Sequence, residues 1–486
     1  MSDSGELKRG LGLFDSTAIV MGSMIGSGIF IVSADMARAL GSPGWLLIAW
    51  ILTGFITIAA ALSYGELAAM MPHAGGMYVY LREAYGKLPA FLYGWTLFTV
   101  IQSGTIAAVA IAFSKFTGVL FPFISSSRWI YKINLFNTYT VGINTENLLA
   151  IISIVLLTVI NTKGLESGKW IQNIFTSIKI IALLVLILLG IFIGRNHEAI
   201  VLNLQHFWDV STINITSGTV HRIPVHGASI LQVMGTAMVG SLFSAIAWDT
   251  VTYTASETIN PKKNIPLSLA LGTGGVILLY FLVNVSYLLV LPLIGEYGAG
   301  NTFSRGIQFA LDDRVGTAAA EMIFGNSGAI IVALLIMIST FGCNNGIILS
   351  TARVYFAMAK DGLFFDKARE LNKHYVPAYA LVIQCIWSSV LCLSGTYSQL
   401  LDYVIFAVLL FYILTVLGLF VLRKTKPYAD RPYKAFGYPY VPGLYLLLAS
   451  AISLDLLFFK PLYTWPGLVI VLIGIPVYFI WSKRFS

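Results

Sequence analysis

Three polar features lie where the surrounding sequence is apolar, and each implies a different chemistry. In Gly22-Ser23-Met24-Ile25-Gly26-Ser27-Gly28-Ile29-Phe30, three glycines fall within seven residues. Glycine is costly inside a helix and permissive outside one, so Gly26-Ser27-Gly28 can unwind the chain. The N–H groups that open the following half-helix would then converge and bind an anion. The same residues also fit Gly22-xxx-Gly26, a spacing that lets two helices pack closely. Asp249 ends Phe243-Ser244-Ala245-Ile246-Ala247-Trp248-Asp249, deep in an apolar run where a carboxylate is expensive. It either caps the N–H groups of a second half-helix or titrates during a working cycle. Lys179 stands nine residues into another apolar run, near the limit from which its ammonium can snorkel to an interface.

Enzymatic chemistry finds no comparable support. His73, His197, His206, His221, His226 and His374 all lie outside the apolar centres, none in an H-E-x-x-H motif, and no Ser/His/Asp set shares a membrane depth. Cys343, Cys385 and Cys392 lie in apolar runs without metal spacing and read as packing residues. The chain is therefore not read as an enzyme, and no metal or other cofactor is expected.

The elements that must position these residues are membrane helices. Charged residues make up only 11% of the chain and apolar ones 57%, where a soluble domain would carry about a quarter charged. At about twenty apolar residues per crossing, spans are predicted at 16–40, 45–71, 89–121, 145–161, 170–193 and 228–255. Six more are predicted at 267–294, 328–357, 377–393, 400–422, 443–459 and 465–481. With the amino terminus inside, twenty of the thirty Lys and Arg residues, among them Lys8, Lys169, Lys483 and Arg484, fall in inner segments. That bias favours cytoplasmic termini in a multi-pass protein of the cell membrane, inner or plasma. It also accounts for the net charge of +8 without a nucleic-acid partner. Met1 to Gly12 is polar and shows no cleavable signal, so the first span serves as the insertion signal. Two longer outer loops, 122–144 and 194–227, leave no room for a soluble catalytic domain, and the second holds the glycosylation sequon Asn214-Ile215-Thr216.

The two interrupted runs occupy equivalent places, the first and sixth spans. Paired discontinuous helices of this kind mark transporters built from two inverted repeats, with a binding site at mid-membrane. The chain also resembles the amino acid–polyamine–organocation superfamily, particularly its L-type amino acid transporter branch. The resemblance is carried by Ile25-Gly26-Ser27-Gly28-Ile29-Phe30, Gly41-Ser42-Pro43, Tyr64-Gly65-Glu66-Leu67, Pro72 with Gly75-Gly76, Tyr78, Tyr80 and Gly86. It continues in Gln172-Asn173-Ile174-Phe175-Thr176 with Lys179, Phe243 with Trp248, Glu257 with Asn260-Pro261, Asn264 and Pro266, Ser339-Thr340-Phe341-Gly342, Asn345-Gly346, Ala352-Arg353 and Asp361-Gly362.

That resemblance implies an all-α transmembrane fold of twelve helices in one domain over 1–486, a LeuT-like 5+5 inverted repeat plus two peripheral C-terminal helices. The first repeat would cover 12–200, the second 228–425, and the peripheral pair 440–482. It further implies that N–H groups around Gly26, Ser27 and Gly28 hold a substrate carboxylate, and that carbonyls near Met24 and Phe243 hold its ammonium. Half-helix ends of opposite dipole sign suit such a zwitterion. Phe243 would cover the substrate from outside, and Ser244 lies beside it at the break. Lys179 would stand where sodium-coupled relatives bind sodium, making transport sodium-independent. Ile246 replaces a glycine of transporters for large neutral substrates, and Phe406 would also line the pocket, so small or medium neutral L-amino acids are expected. Gln102, Ser103, Asn344 and Asn345 either line the site or bridge helices. At the inner ends, Glu257 with Lys262 and Lys263, and Arg353 with Asp361, form expected gate pairs.

The expected function is a secondary transporter, an exchanger or permease working by alternating access. Proton-coupled symport, or transport of cationic amino acids or polyamines, stands as the alternative; a non-transporting receptor or a channel is the remaining one. Partners are then the amino acid substrate and the lipid bilayer. The resemblance implies that L-type relatives of animals attach to a heavy-chain partner by a disulfide in the loop between the third and fourth spans; because this loop, 122–144, lacks cysteine, no disulfide-linked heavy chain is expected.

Overall fold

The computed structural model describes residues 9–73, 75–135, 139–163, 166–216, 219–393 and 397–482. Lys8, Lys483 and Arg484, and the side chains of Lys169 and Gln172, lie outside that description. In chain order the helices are α1 (Leu13–Met24), α2 (Gly28–Leu40), α3 (Pro43–Met70), α4 (Met77–Tyr85), α5 (Lys87–Thr96) and α6 (Gln102–Leu120). They continue with α7 (Thr145–Asn161), α8 (Glu166–Phe192), α9 (His197–Gln205), α10 (Ser229–Ser244), α11 (Thr250–Tyr253) and α12 (Pro261–Val290). The last six are α13 (Thr302–Arg305), α14 (Val315–Lys360), α15 (Ala378–Leu391), α16 (Tyr397–Thr425), α17 (Tyr440–Phe459) and α18 (Pro461–Ser482).

Among the described residues eight helical rods are long and apolar enough to cross a bilayer, and a ninth forms if α1 and α2 are taken as one span bent by 40°. Three shorter apolar helices, α7, α10 and α15, accompany them. Several starts carry local signals: Ser42 Oγ accepts from Trp45 N–H ahead of Pro43, and Asn144 Oδ1 accepts from Asn147 N–H at 2.7 Å. Their apolar surface runs all round the axis, so each buries one side in protein and gives the other to lipid. Ile152, Val155 and Val159 of α7, and Leu472 and Ile473 of α18, are exposed in that way.

The interior is built on α3 against α12 and on α14 against α6 and α8, with α1 running between α8, α12 and α14. The outer loops depart from the all-α expectation. One holds an antiparallel hairpin of β1 (Trp129–Leu135) and β2 (Tyr139–Asn144), the other α9 and a hairpin of β3 (Ser211–Thr216) and β4 (Thr219–Pro224). Asn203 of α9 donates to the carbonyls of Leu288 and Leu291, which docks that loop on the end of α12.

Candidate functional site

The first helix breaks where its glycines are. Helix α1 ends at Met24, Gly26 N–H turns back to the Met24 carbonyl at 2.9 Å, and α2 begins at Gly28 with Ser27 at the cap. The Gly28 and Ile29 amides, in the first turn of α2, have no acceptor within their own helix. On the other side of the break, carbonyls released from α1 are taken by side chains. Lys179 Nζ, 1% exposed, donates to Gly22 O at 2.7 Å and Ile25 O at 3.0 Å. Tyr280 OH donates to Met24 O at 2.8 Å, and Cys343 Sγ to Ser23 O at 3.2 Å. Ser339 Oγ of α14 also reaches Ile25 O. Lys179 therefore does not snorkel; a cation from α8 caps the negative end of α1 beside α14.

The second break faces the first. Helix α10 ends at Ser244, the chain crosses Ala245 to Trp248 without helix, and α11 starts at Thr250. Ala247 adopts φ 68°, a conformation that favours glycine, so the turn is held by its surroundings rather than by its own residue type. A Cβ on Gly28 would stand 2.9 Å from Ser244 Cβ; only glycine permits the two breaks to meet. Thr250 Oγ1 completes the link by donating to Ser23 Oγ at 3.0 Å.

Asp249 occupies the cap position of α11 but makes no capping hydrogen bond, which corrects that sequence reading. Its oxygens instead accept from Tyr253 OH at 2.7 Å and Tyr412 OH at 2.9 Å. Tyr93 OH lies 2.9 Å from Tyr253 OH. Tyr64, Trp248 and Tyr412 pack edge to face or tilted around one another beside the carboxylate.

A cavity of about 20 Å³ opens against this group. Its wall comprises Ile246, Ala247, Asp249, Thr250 and Tyr253 of the second break, Tyr93, Leu97, Ile101, Gln102 and Thr105 of the third span, Val408, Phe411 and Tyr412 of α16, and Met77 of α4. Leu97–Ile101 is a π-helical turn between α5 and α6, an irregularity that sequence periodicity did not reveal. Phe243 is buried at the end of α10, and Phe406 is buried in α16 but is not part of this wall. Asn344 donates to Ile106 O and Asn345 accepts from Asn161 Nδ2, so these two bridge helices, whereas Ser103 bonds back to the Phe98 carbonyl within its own span.

Ion pairs stand at both ends of the bundle, called inner and outer here by the expected Lys and Arg bias. On the inner side Arg353 Nε meets Glu257 Oε1 at 2.8 Å with both side chains buried. The expected pairings are therefore exchanged: Lys262 binds Asp430, and Asp361 accepts from Tyr78 and Arg82. Gly10 and Leu11 N–H groups donate to Glu257 O, and Ile259 N–H to Leu11 O, which ties the amino-terminal segment under α11. Helix α4 lies beside it, where Lys426 hydrogen-bonds Glu83 at 2.7 Å and holds its carboxyl below the ordinary range. On the outer side Arg38 of α2 donates to Asp313 Oδ1 and Gln308 O, both at 2.7 Å.

One ionic centre escaped the sequence reading. Glu66, fully buried in α3, accepts from Arg423 and from Ala435 N–H at 2.7 Å, and Arg431 Nε lies 3.2 Å away. Its partners lie more than 350 positions along the chain, and only the Tyr64-Gly65-Glu66-Leu67 motif marked the residue beforehand.

The amino acid permease family model matches residues 11–485. The chain is 31% identical over 475 residues to the human (Homo sapiens) large neutral amino acids transporter small subunit 2, covering 98% of this chain and 80% of that one. It is 27% identical over 493 residues to the serine/threonine exchanger SteT of Bacillus subtilis (strain 168), covering 99% and 98%. To the Asc-type amino acid transporter 1 of Mus musculus it is 27% identical over 483 residues, covering 99% and 82%.

Proposed function

The chain belongs to the amino acid permease family and carries amino acids across a membrane, and from that premise we propose a sodium-independent exchanger or permease of small or medium neutral L-amino acids that works by alternating access. The observation that carries this reading is the meeting of the two helix breaks at Gly28 and Ser244. Amides at the head of α2 suit a carboxylate. The end of α10, the negative pole of its helix dipole with Phe243 beside it, suits an ammonium. Met24 supplies its carbonyl to Tyr280 and Gly26, so the ammonium falls to the α10 side.

Twelve crossings in two five-helix repeats, 12–200 and 228–425, with α17 and α18 peripheral, accommodate every apolar helix described above. Both termini then lie in the cytoplasm and the protein sits in the cell membrane. Lys179, fixed on two carbonyls between α1 and α14, supplies the positive charge that a sodium ion would otherwise bring. Glu257 and Arg353 form the inner gate. The relatives are named for large neutral amino acids, for serine and threonine, and for Asc-type transport; the small cavity beside Ile246 favours the smaller substrates.

Counterflow of radiolabelled amino acids in proteoliposomes, run with a panel of competitors, tests the whole. Alanine, serine and their near neighbours should drive label exchange; preference for tryptophan or phenylalanine would refute the size argument, and absence of trans-stimulation would refute exchange. A second reading, proton-coupled symport, draws on Asp249, a carboxylate 4% exposed that no Lys, Arg or His pairs among the described residues.

A further inference from the structure

We propose that the cavity beside the second break is a subsite for a side-chain hydroxyl, so that hydroxyl-bearing amino acids are preferred over the analogues that lack the oxygen. The inference rests on the transporter reading above and names its substrate class.

Two groups on the cavity wall carry it. Tyr253 and Tyr412 each give their phenolic proton to Asp249, and since Tyr253 spends its proton there, Tyr93 must be the donor in the Tyr93–Tyr253 bond. All three phenols are thus oriented toward the carboxylate, which acts only as an acceptor and keeps lone pairs for a further donor. The other group is Gln102, 6% exposed, whose Nε2 has no acceptor among the described residues. A buried amide N–H left unmade costs free energy that a ligand oxygen would restore.

Both groups line the one cavity, so the group that suits it best donates to Asp249 and accepts from Gln102. A hydroxyl does both. An ammonium only donates and would place a cation against the Gln102 N–H; a carboxylate only accepts and meets Asp249 with like charge; a methyl does neither. Space agrees, because about 20 Å³ admits one water-sized group. Ile246, Val408 and Phe411 supply apolar wall for the carbon that carries it. Sites built to hydrogen-bond a hydroxyl discriminate strongly against substrates that lack it, because their polar groups are then left unpaired.

The test uses the full chain in proteoliposomes and measures inhibition of labelled-alanine counterflow by serine against alanine, threonine against 2-aminobutyrate, and 2,3-diaminopropionate. Wild type should favour the hydroxyl member of each pair by about tenfold, the worth of one net hydrogen bond. Gln102→Met should bring both ratios close to one, and Gln102→Asn should retain part of the preference. Equal inhibition by serine and alanine in wild type overturns the proposal, as does stronger inhibition by 2,3-diaminopropionate, or Gln102→Met weakening both members of a pair alike. Should Gln102→Met fail to fold, the wild-type ratios decide alone. Alanine counterflow without hydroxyl preference would sink the subsite and leave the transporter standing; counterflow by no amino acid would remove both.

Discussion

Removing the carboxylate at the inner gate should leave the transporter open to the cytoplasm. Glu257 and Arg353 are both buried, and the guanidinium reaches both carboxylate oxygens, at 2.8 and 3.4 Å. In Glu257→Gln the guanidinium would keep its bond to the Leu349 carbonyl and otherwise face a neutral amide. Breaking a buried pair by neutralising one partner costs about 3–5 kcal/mol, because the other charge stays buried. The gate lies at the inner ends of its helices and hydrates when it opens, so the lower figure applies, and about 3 kcal/mol shifts the closed-to-open ratio by roughly a hundredfold. The assay is labelling of Ile246→Cys, in a background with Cys343→Ser, Cys385→Ala and Cys392→Ala, by an impermeant maleimide applied to inside-out vesicles. Labelling should accelerate steeply in Glu257→Gln and return toward the parent rate when Glu257→Arg is combined with Arg353→Glu. An unchanged rate in Glu257→Gln would refute the latch, and so would a swapped pair that behaves like the single variant, since the effect would then not belong to the ion pair.

Three further outcomes follow from the same geometry. Counterflow should persist when sodium is replaced by choline at matched potential; steep sodium dependence would overturn the role given to Lys179. Gly28→Ala should abolish substrate binding in tryptophan-quenching or thermal-shift titrations while the protein still inserts, because the added methyl meets Ser244 Cβ at 2.9 Å; retained affinity would show that the breaks need not touch. If the symport reading is right, Asp249→Asn should abolish accumulation driven by an inward proton gradient and spare exchange, and proton-driven uptake equal to wild type would dismiss that reading.

Sequence patterns reached the site unevenly, for physical reasons. The first break was legible because three glycines in seven residues have few uses inside a helix, and the second because a carboxylate in lipid needs a partner. Depth alone separated Lys179 from an interfacial lysine. What could not be read was pairing across the fold. Glu257 meets Arg353 96 residues away, Asp249 finds its phenols on α11 and α16, and Glu66 waits for Arg423 in the last turn of α16 and Arg431 beyond it, contacts that depend on how helices are stacked rather than on local spacing. The outer hairpins were missed because β1 and β2 are short strands in loops whose Ser, Thr, Asn and aromatic content signals no helix and specifies nothing else.

The stitch between Leu11 and Thr258 couples the segment ahead of α1 to the backbone of Glu257, so if the proposed gate moves that segment must move with it. A tag or antibody that loads that segment should therefore alter the rate of transport even though it lies far from the cavity.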